Sequence, residues 1–137
     1  MPQRATSRKA TILLADDHQD FTALITDMLR DEFEIVGNVG DGKALVNACL
    51  QLKPDLIITD ISMPELTGID AAERLSKLGF SPKIIFLTVH ADTDFVRACL
   101  DAGAAGYVVK SHVAADLLPA IQHALAGRVF VSSRASK

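Results

Sequence analysis

Four short apolar runs limit what this chain can fold into: Ala10-Thr11-Ile12-Leu13-Leu14-Ala15, Leu56-Ile57-Ile58, Ile84-Ile85-Phe86-Leu87 and Ala105-Gly106-Tyr107-Val108-Val109. They are too short for helices and continuous rather than alternating, which is the pattern of strands covered on both faces. Each run ends on polar residues, Asp16-Asp17, Asp60, Thr88 and Lys110 respectively. A chain of this kind builds a buried sheet and delivers chemistry to one of its edges.

The segments between the runs carry helical spacing. Phe21, Leu24, Ile25, Met28 and Leu29 fall at i, i+3, i+4, i+7 and i+8, predicting a first helix from about His18 to Arg30. Phe33 to Val39 reads as a further strand closed by Gly40, and Asp41 is placed to cap a helix through Gln51 that Pro54 stops. Met63-Pro64 and Thr67-Gly68 mark a turn after Asp60, followed by a helix with Ile69, Ala72 and Leu75 that ends at Gly79. The fourth strand spans Pro82 to Val89, and Asp92 then precedes a helical pattern of Phe95, Cys99 and Ala102 with a stop at Gly103. Ser111 is the expected cap of the last helix, whose apolar face is Val113, Leu117, Ile121, Ala124 and Leu125. Pro119 falls inside that helix, where a cost of up to ~3 kcal/mol or a kink is expected.

Five strands alternating with five helices imply right-handed βαβ crossovers, a mostly parallel sheet and helices on both faces. The expected fold is a doubly wound α/β domain over residues 10–127, preceded by a mobile arm, 1–9. The segment 128–137 is read as a tail that packs as an edge or leads toward a further domain.

Composition narrows the function. The 137 residues suffice for a single domain burying roughly two thirds of its unfolded surface, without need of disulfides. Cys49 and Cys99 sit in apolar helical patterns and form no metal-binding spacing, which fits buried thiols in a reducing compartment. There is no apolar run of about 20 residues for a membrane span and no signal-peptide pattern, so a cytoplasmic location is expected. Residues 10–127 hold 8 basic against 17 acidic residues, a balance of -9, which disfavours direct binding to DNA.

Parallel strands point the same way, so Asp16, Asp17, Asp60, Thr88 and Lys110 meet at one carboxyl edge, with the acids near a topological switch point. Three acids in one crevice repel unless a hard cation neutralises them, and oxygen donors favour Mg²⁺ or Mn²⁺ over zinc. Lys110 offers a compact charge for phosphate oxygens and Thr88 a hydroxyl. Taken singly, each residue is more simply a cap, a turn residue or a solvated side chain. Taken jointly, they fit an aspartate that accepts a phosphoryl group in line, forming an acyl phosphate.

The stretches Leu13-Leu14-Ala15-Asp16-Asp17-His18, Ile58 to Gly68, Leu87-Thr88 and Gly103 to Lys110 resemble the receiver domain of bacterial two-component response regulators. Asp-Asp-His and Gly-Ala-Ala-Gly-Tyr-Val-Val-Lys-Ser are similar to the NarL/FixJ (LuxR-type) subfamily. The resemblance implies a flavodoxin-like sheet in the order 2-1-3-4-5, Asp60 as phosphoacceptor and Lys110 as its phosphate partner. It also implies Mg²⁺ on Asp16, Asp17, Asp60 and the Ser62 carbonyl, and Thr88 with Tyr107 as a switch acting on the face of helix four, strand five and helix five. Implied partners are a sensor histidine kinase, a homodimer mate and an output domain or partner protein. DNA would be reached only through a helix-turn-helix domain that is not among these residues. Such a domain modifies itself and is not an enzyme with a turnover substrate.

Ser111 stands where many receivers carry proline, leaving a cis Lys110-Ser111 peptide in question, and Gln19 also replaces a common proline. His18 and His90 fall near the rim, with His90 placed to modulate water access; His112 and His123 are expected on the surface. Two rival readings remain. An aspartate-nucleophile phosphatase of the haloacid-dehalogenase type needs an Asp two residues past the nucleophile, where this chain has Ser62. A flavodoxin-like binding module needs a Ser/Thr/Gly-rich phosphate loop, where this chain has Asp16-Asp17-His18-Gln19-Asp20.

Overall fold

A computed structural model describes residues 9–63, 66–89 and 93–132, with the side chains of 93–95 excepted. The expectations for the residue 1–8 arm, Pro64, His90, the Asp92 cap, the Phe95 side chain and residues 133–137 lie outside the described residues. The strands are β1 (Thr11–Ala15), β2 (Glu34–Val39), β3 (Leu56–Asp60), β4 (Lys83–Thr88), β5 (Gly106–Val109) and β6 (Phe130–Val131). The helices are α1 (Gln19–Leu29), α2 (Gly42–Leu52), α3 (Gly68–Lys77), α4 (Thr93–Asp101) and α5 (Val113–Leu125), with a 3₁₀ turn at Lys110–His112.

The sheet runs β2-β1-β3-β4-β5-β6 and its pairings are parallel. The order of the first five strands is the expected one, and the expected five-stranded sheet gains a sixth strand. Phe130 N–H donates to the Ala105 carbonyl at 3.2 Å and Ser132 N–H to the Tyr107 carbonyl at 2.9 Å. Buried Ser132 adds a side-chain link, accepting from Val109 N–H at 3.1 Å and donating to Asp116 Oδ2 at 2.8 Å. The tail after α5 thus packs as an edge, one of the two readings given for it, although at two residues the strand is too short for periodicity to place.

Alternate residues of the central strands feed two cores. Leu13, Ala15, Ile57 and Phe86 pack with Leu45, Cys49, Ala71, Leu75 and Cys99 of α2, α3 and α4. Ile12, Leu14, Ile58, Ile85 and Leu87 pack with Ile25 and Leu29 of α1 and Val113, Leu117 and Ile121 of α5. Both sides of each strand are thus covered, which is why the runs are continuous.

Several local expectations shift. On α1 the buried face is Thr22, Ile25 and Leu29, and Leu24 is half exposed. On α5, Ala120 is buried in place of the expected Leu125, which is exposed. Pro119 lies inside an unbroken α5, and the Ala115 carbonyl it deprives of a donor belongs to an exposed residue, which water can reach. Ser111 does not cap α5; it lies within the 3₁₀ turn, and the helix starts without a side-chain cap. Among the described residues no peptide is cis, so Lys110-Ser111 is trans. His123 is partly buried and packs edge-on against Phe130, with ring centroids 5.5 Å apart. Asp41 caps α2 as expected, accepting from Ala44 N–H at 2.7 Å.

Cys49 and Cys99 are free and fully buried. Burial pushes their thiols up to about 11 and about 12. The native state therefore keeps protons that the unfolded chain releases above about 9, so this stabilisation is complete at neutral pH and is lost as pH rises through 11 to 12. Native protein at pH 8 is expected to resist iodoacetamide at both thiols and to react fully in denaturant. Rapid alkylation of folded protein would contradict this burial.

Candidate functional site

Asp16 follows β1 directly, and its N–H donates to the Val39 carbonyl of β2 at 2.9 Å, extending the ladder past the strand. Asp60 is the last residue of β3 and only 5% exposed. The ladder also continues beyond it, Ile61 N–H donating to the Leu87 carbonyl at 3.2 Å. The turn then folds back: Gly68 N–H donates to the Ile61 carbonyl at 2.9 Å, and Thr67 caps α3 by accepting from Asp70 N–H at 3.1 Å. A Cβ on Gly68 would collide with the Asp60 carbonyl oxygen, so only glycine lets α3 begin this close to the acid.

Lys110 arrives from the other side, just after β5. Its Nζ lies 2.7 Å from Asp16 Oδ2 and 3.1 Å from Asp60 Oδ2. Ser62 N–H donates to Asp60 Oδ1 at 3.2 Å. Thr88 ends β4, is 2% exposed, and pairs in register with Val109, the neighbour of Lys110. Tyr107 is fully buried in the core that contains Ile57 and Phe86. The sheet therefore brings Asp16, Asp60 and Lys110 into contact and carries Thr88 to the same edge, while Tyr107 lies deeper.

Burial pushes the Asp60 carboxyl above the usual carboxylate range, outweighing the Lys110 bond and charge that pull it down. For Lys110, burial alone would lower the ammonium; the Asp16 and Asp60 carboxylates set against its Nζ, by close contact and by charge, outweigh it and hold the group above its ordinary value. The lysine is a fixed positive charge.

Asp16, Asp17, His18 and Asp60 each offer a ligand atom, all within 4.8 Å of one another. Asp16 Oδ2 is buried without a hydrogen-bond partner among the described residues; its contact with Lys110 is an ion pair rather than a directional hydrogen bond. A buried carboxylate oxygen left in that state suits a hard cation, and the three acids fit Mg²⁺ or Mn²⁺. His18 is closer to this cluster than a rim position alone implies: its Nδ1 lies 2.9 Å from Asp16 Oδ1 and 3.1 Å from Asp17 Oδ1. Its place directly after the acid pair was the available signal.

A sequence family described as the response regulator receiver domain matches residues 12–122. The chain belongs to this family. Among curated proteins the receiver is similar to the transcriptional regulatory protein PdtaR of Mycobacterium tuberculosis, at 41% identity over 83% of this chain and 56% of that protein. It thus spans about half the length of such relatives. Among solved structures it is similar to a LuxR-family response regulator from Aurantimonas sp., with TM-score 0.88, 28% identity and 94% coverage of both chains. It is also similar to the Salmonella typhimurium response regulator RcsB, with TM-score 0.84, 28% identity, and coverage of 93% of this chain and 65% of that one. The Aurantimonas protein is of the LuxR family, the type that the motifs of this receiver resemble. Among its described residues no helix is long and apolar enough to cross a membrane.

Proposed function

We propose that this receiver accepts a phosphoryl group on Asp60 from the phosphohistidine of a sensor histidine kinase. The observation that carries the reading is the triad in which Lys110 Nζ bridges Asp16 and Asp60, at 2.7 and 3.1 Å, beside the Asp17 carboxylate. Asp60 would form the new O–P bond as the P–N bond of the donor breaks, the imidazole keeping the electron pair. No electrons are gained or lost. Asp16, Asp17, Asp60 and the Ser62 carbonyl would hold Mg²⁺ or Mn²⁺, which supplies positive charge to the phosphoryl oxygens when bound. Lys110 keeps a second positive charge at the same oxygens, and the Thr88 hydroxyl would donate to one of them.

Thr88 and Tyr107 form the proposed switch. Movement of Thr88 toward the phosphoryl group would draw on Tyr107 and rebias the surface of α4, β5 and α5. PdtaR is a transcriptional regulatory protein and RcsB has been solved as dimers bound to DNA. By that likeness the proposed output is transcription control through dimerisation and a helix-turn-helix domain in the cytoplasm. A receiver acting through protein contacts is the alternative. The Ser62 position, lacking a general acid, disfavours phosphatase turnover.

Incubation with Mg²⁺ and a small acyl phosphate is expected to add one phosphoryl mass to the intact protein, and a chelator to prevent it. No adduct on wild type would overturn the reading. Thr88→Ala is expected to take the same adduct without the accompanying change in oligomeric state. If its oligomeric response matched wild type, Thr88 would lose the switch role.

A further inference from the structure

We propose that Phe21 is a positioning residue for Lys110, its ring serving as the fixed seat of the ammonium at the phosphoacceptor. The inference rests on the receiver reading of Asp60. Among the described residues, Lys110 Nζ lies against Asp16 Oδ2 at 2.7 Å, Asp60 Oδ2 at 3.1 Å and the Phe21 ring, with its centroid 4.6 Å away. The ammonium lies over the negative face of the ring, the arrangement of a cation–π contact. These contacts leave the lysine side chain only 13% exposed.

The three neighbours differ in what happens to them. A bound cation competes for the Asp16 carboxylate, and phosphorylation converts the Asp60 carboxylate into an acyl phosphate. Both anionic partners therefore change as the site works. The Phe21 ring does not change its charge, and it cannot follow a moving ammonium. It is the third residue of α1, packed against the core that contains Ile25, Leu29, Val113 and Leu117. Lysine is a compact charge on a flexible four-carbon stem. With the ring in place the stem is held at the rim while its carboxylate partners are replaced; without it the ammonium is free to swing into water.

The test compares Phe21→Leu, which keeps apolar bulk on this core, with Phe21→Trp, which restores a π face. Lys110 Cε protons are expected to show an upfield ring-current shift in wild type and Phe21→Trp, and to return to ordinary positions in Phe21→Leu. That signature is read by NMR without any phosphoryl donor, so it decides the contact even if the receiver reading fails. With saturating Mg²⁺ and a small acyl phosphate, Phe21→Leu is expected to phosphorylate about three- to tenfold more slowly. Phe21→Trp is expected to recover most of that loss. An unchanged rate in Phe21→Leu overturns the proposal. So does a loss that Phe21→Trp fails to restore, because a purely structural role would produce it.

Discussion

Asp60→Asn is expected to abolish the phosphoryl adduct while leaving the receiver folded. The amide is nearly isosteric and can still accept from Ser62 N–H through its oxygen, but its nitrogen is no nucleophile toward phosphorus. The fold should tolerate the change, because Asp60 is a carboxylate that burial pushes away from its charged form. Lys110 does not become an orphan either, since Asp16 Oδ2 remains 2.7 Å from it. Intact mass with Mg²⁺ and an acyl phosphate should show an unmodified variant, and its melting temperature should be no lower than that of wild type. A phosphoryl mass on the variant would move the acceptor elsewhere, with Asp17 the next acid to test.

Gly42→Ala should have the largest effect on stability. A Cβ at this first residue of α2 would run into the Leu66 carbonyl group, backbone that cannot turn aside as a side chain would. Overpacking against fixed atoms costs about 1–3 kcal/mol or more. Gly40→Ala is the matched control, because the nearest atom its Cβ would meet is Asp17 Cα at 4.0 Å. The urea midpoint should fall markedly for Gly42→Ala and hardly move for Gly40→Ala. Leu66 belongs to the turn between Asp60 and α3, so the damage should extend to phosphorylation. Equal midpoints for the two variants would mean that α2 and this turn do not approach so closely.

Both predictions show where sequence reading is strong and where it stops. The amino-acid order determined the central strands, the helices between them and the edge to which Asp16, Asp60, Thr88 and Lys110 are delivered. Continuous apolar runs suit strands covered on both faces, their alternation with helices makes the sheet parallel, and in such a sheet the strand ends share one side. Asp41 as a cap was legible for a similar reason, since it depends on neighbours three residues away.

Features that depend on partners far along the chain were decided by the tertiary structure. Phe21 reads as one more apolar position on a helix until Lys110, which follows β5, is brought over its ring. Gly42 and Gly68 look like ordinary turn glycines until Leu66 and the Asp60 carbonyl close on them. Phe130 and Val131 become a strand because β5 leaves an edge open, and Ser132 is buried because Val109 and Asp116 satisfy its hydroxyl. Ser111 failed as a cap because the chain tightens into a 3₁₀ turn at Lys110. Local patterns record which face of an element is buried; which atoms meet across the site is set by packing between segments that sequence spacing does not connect.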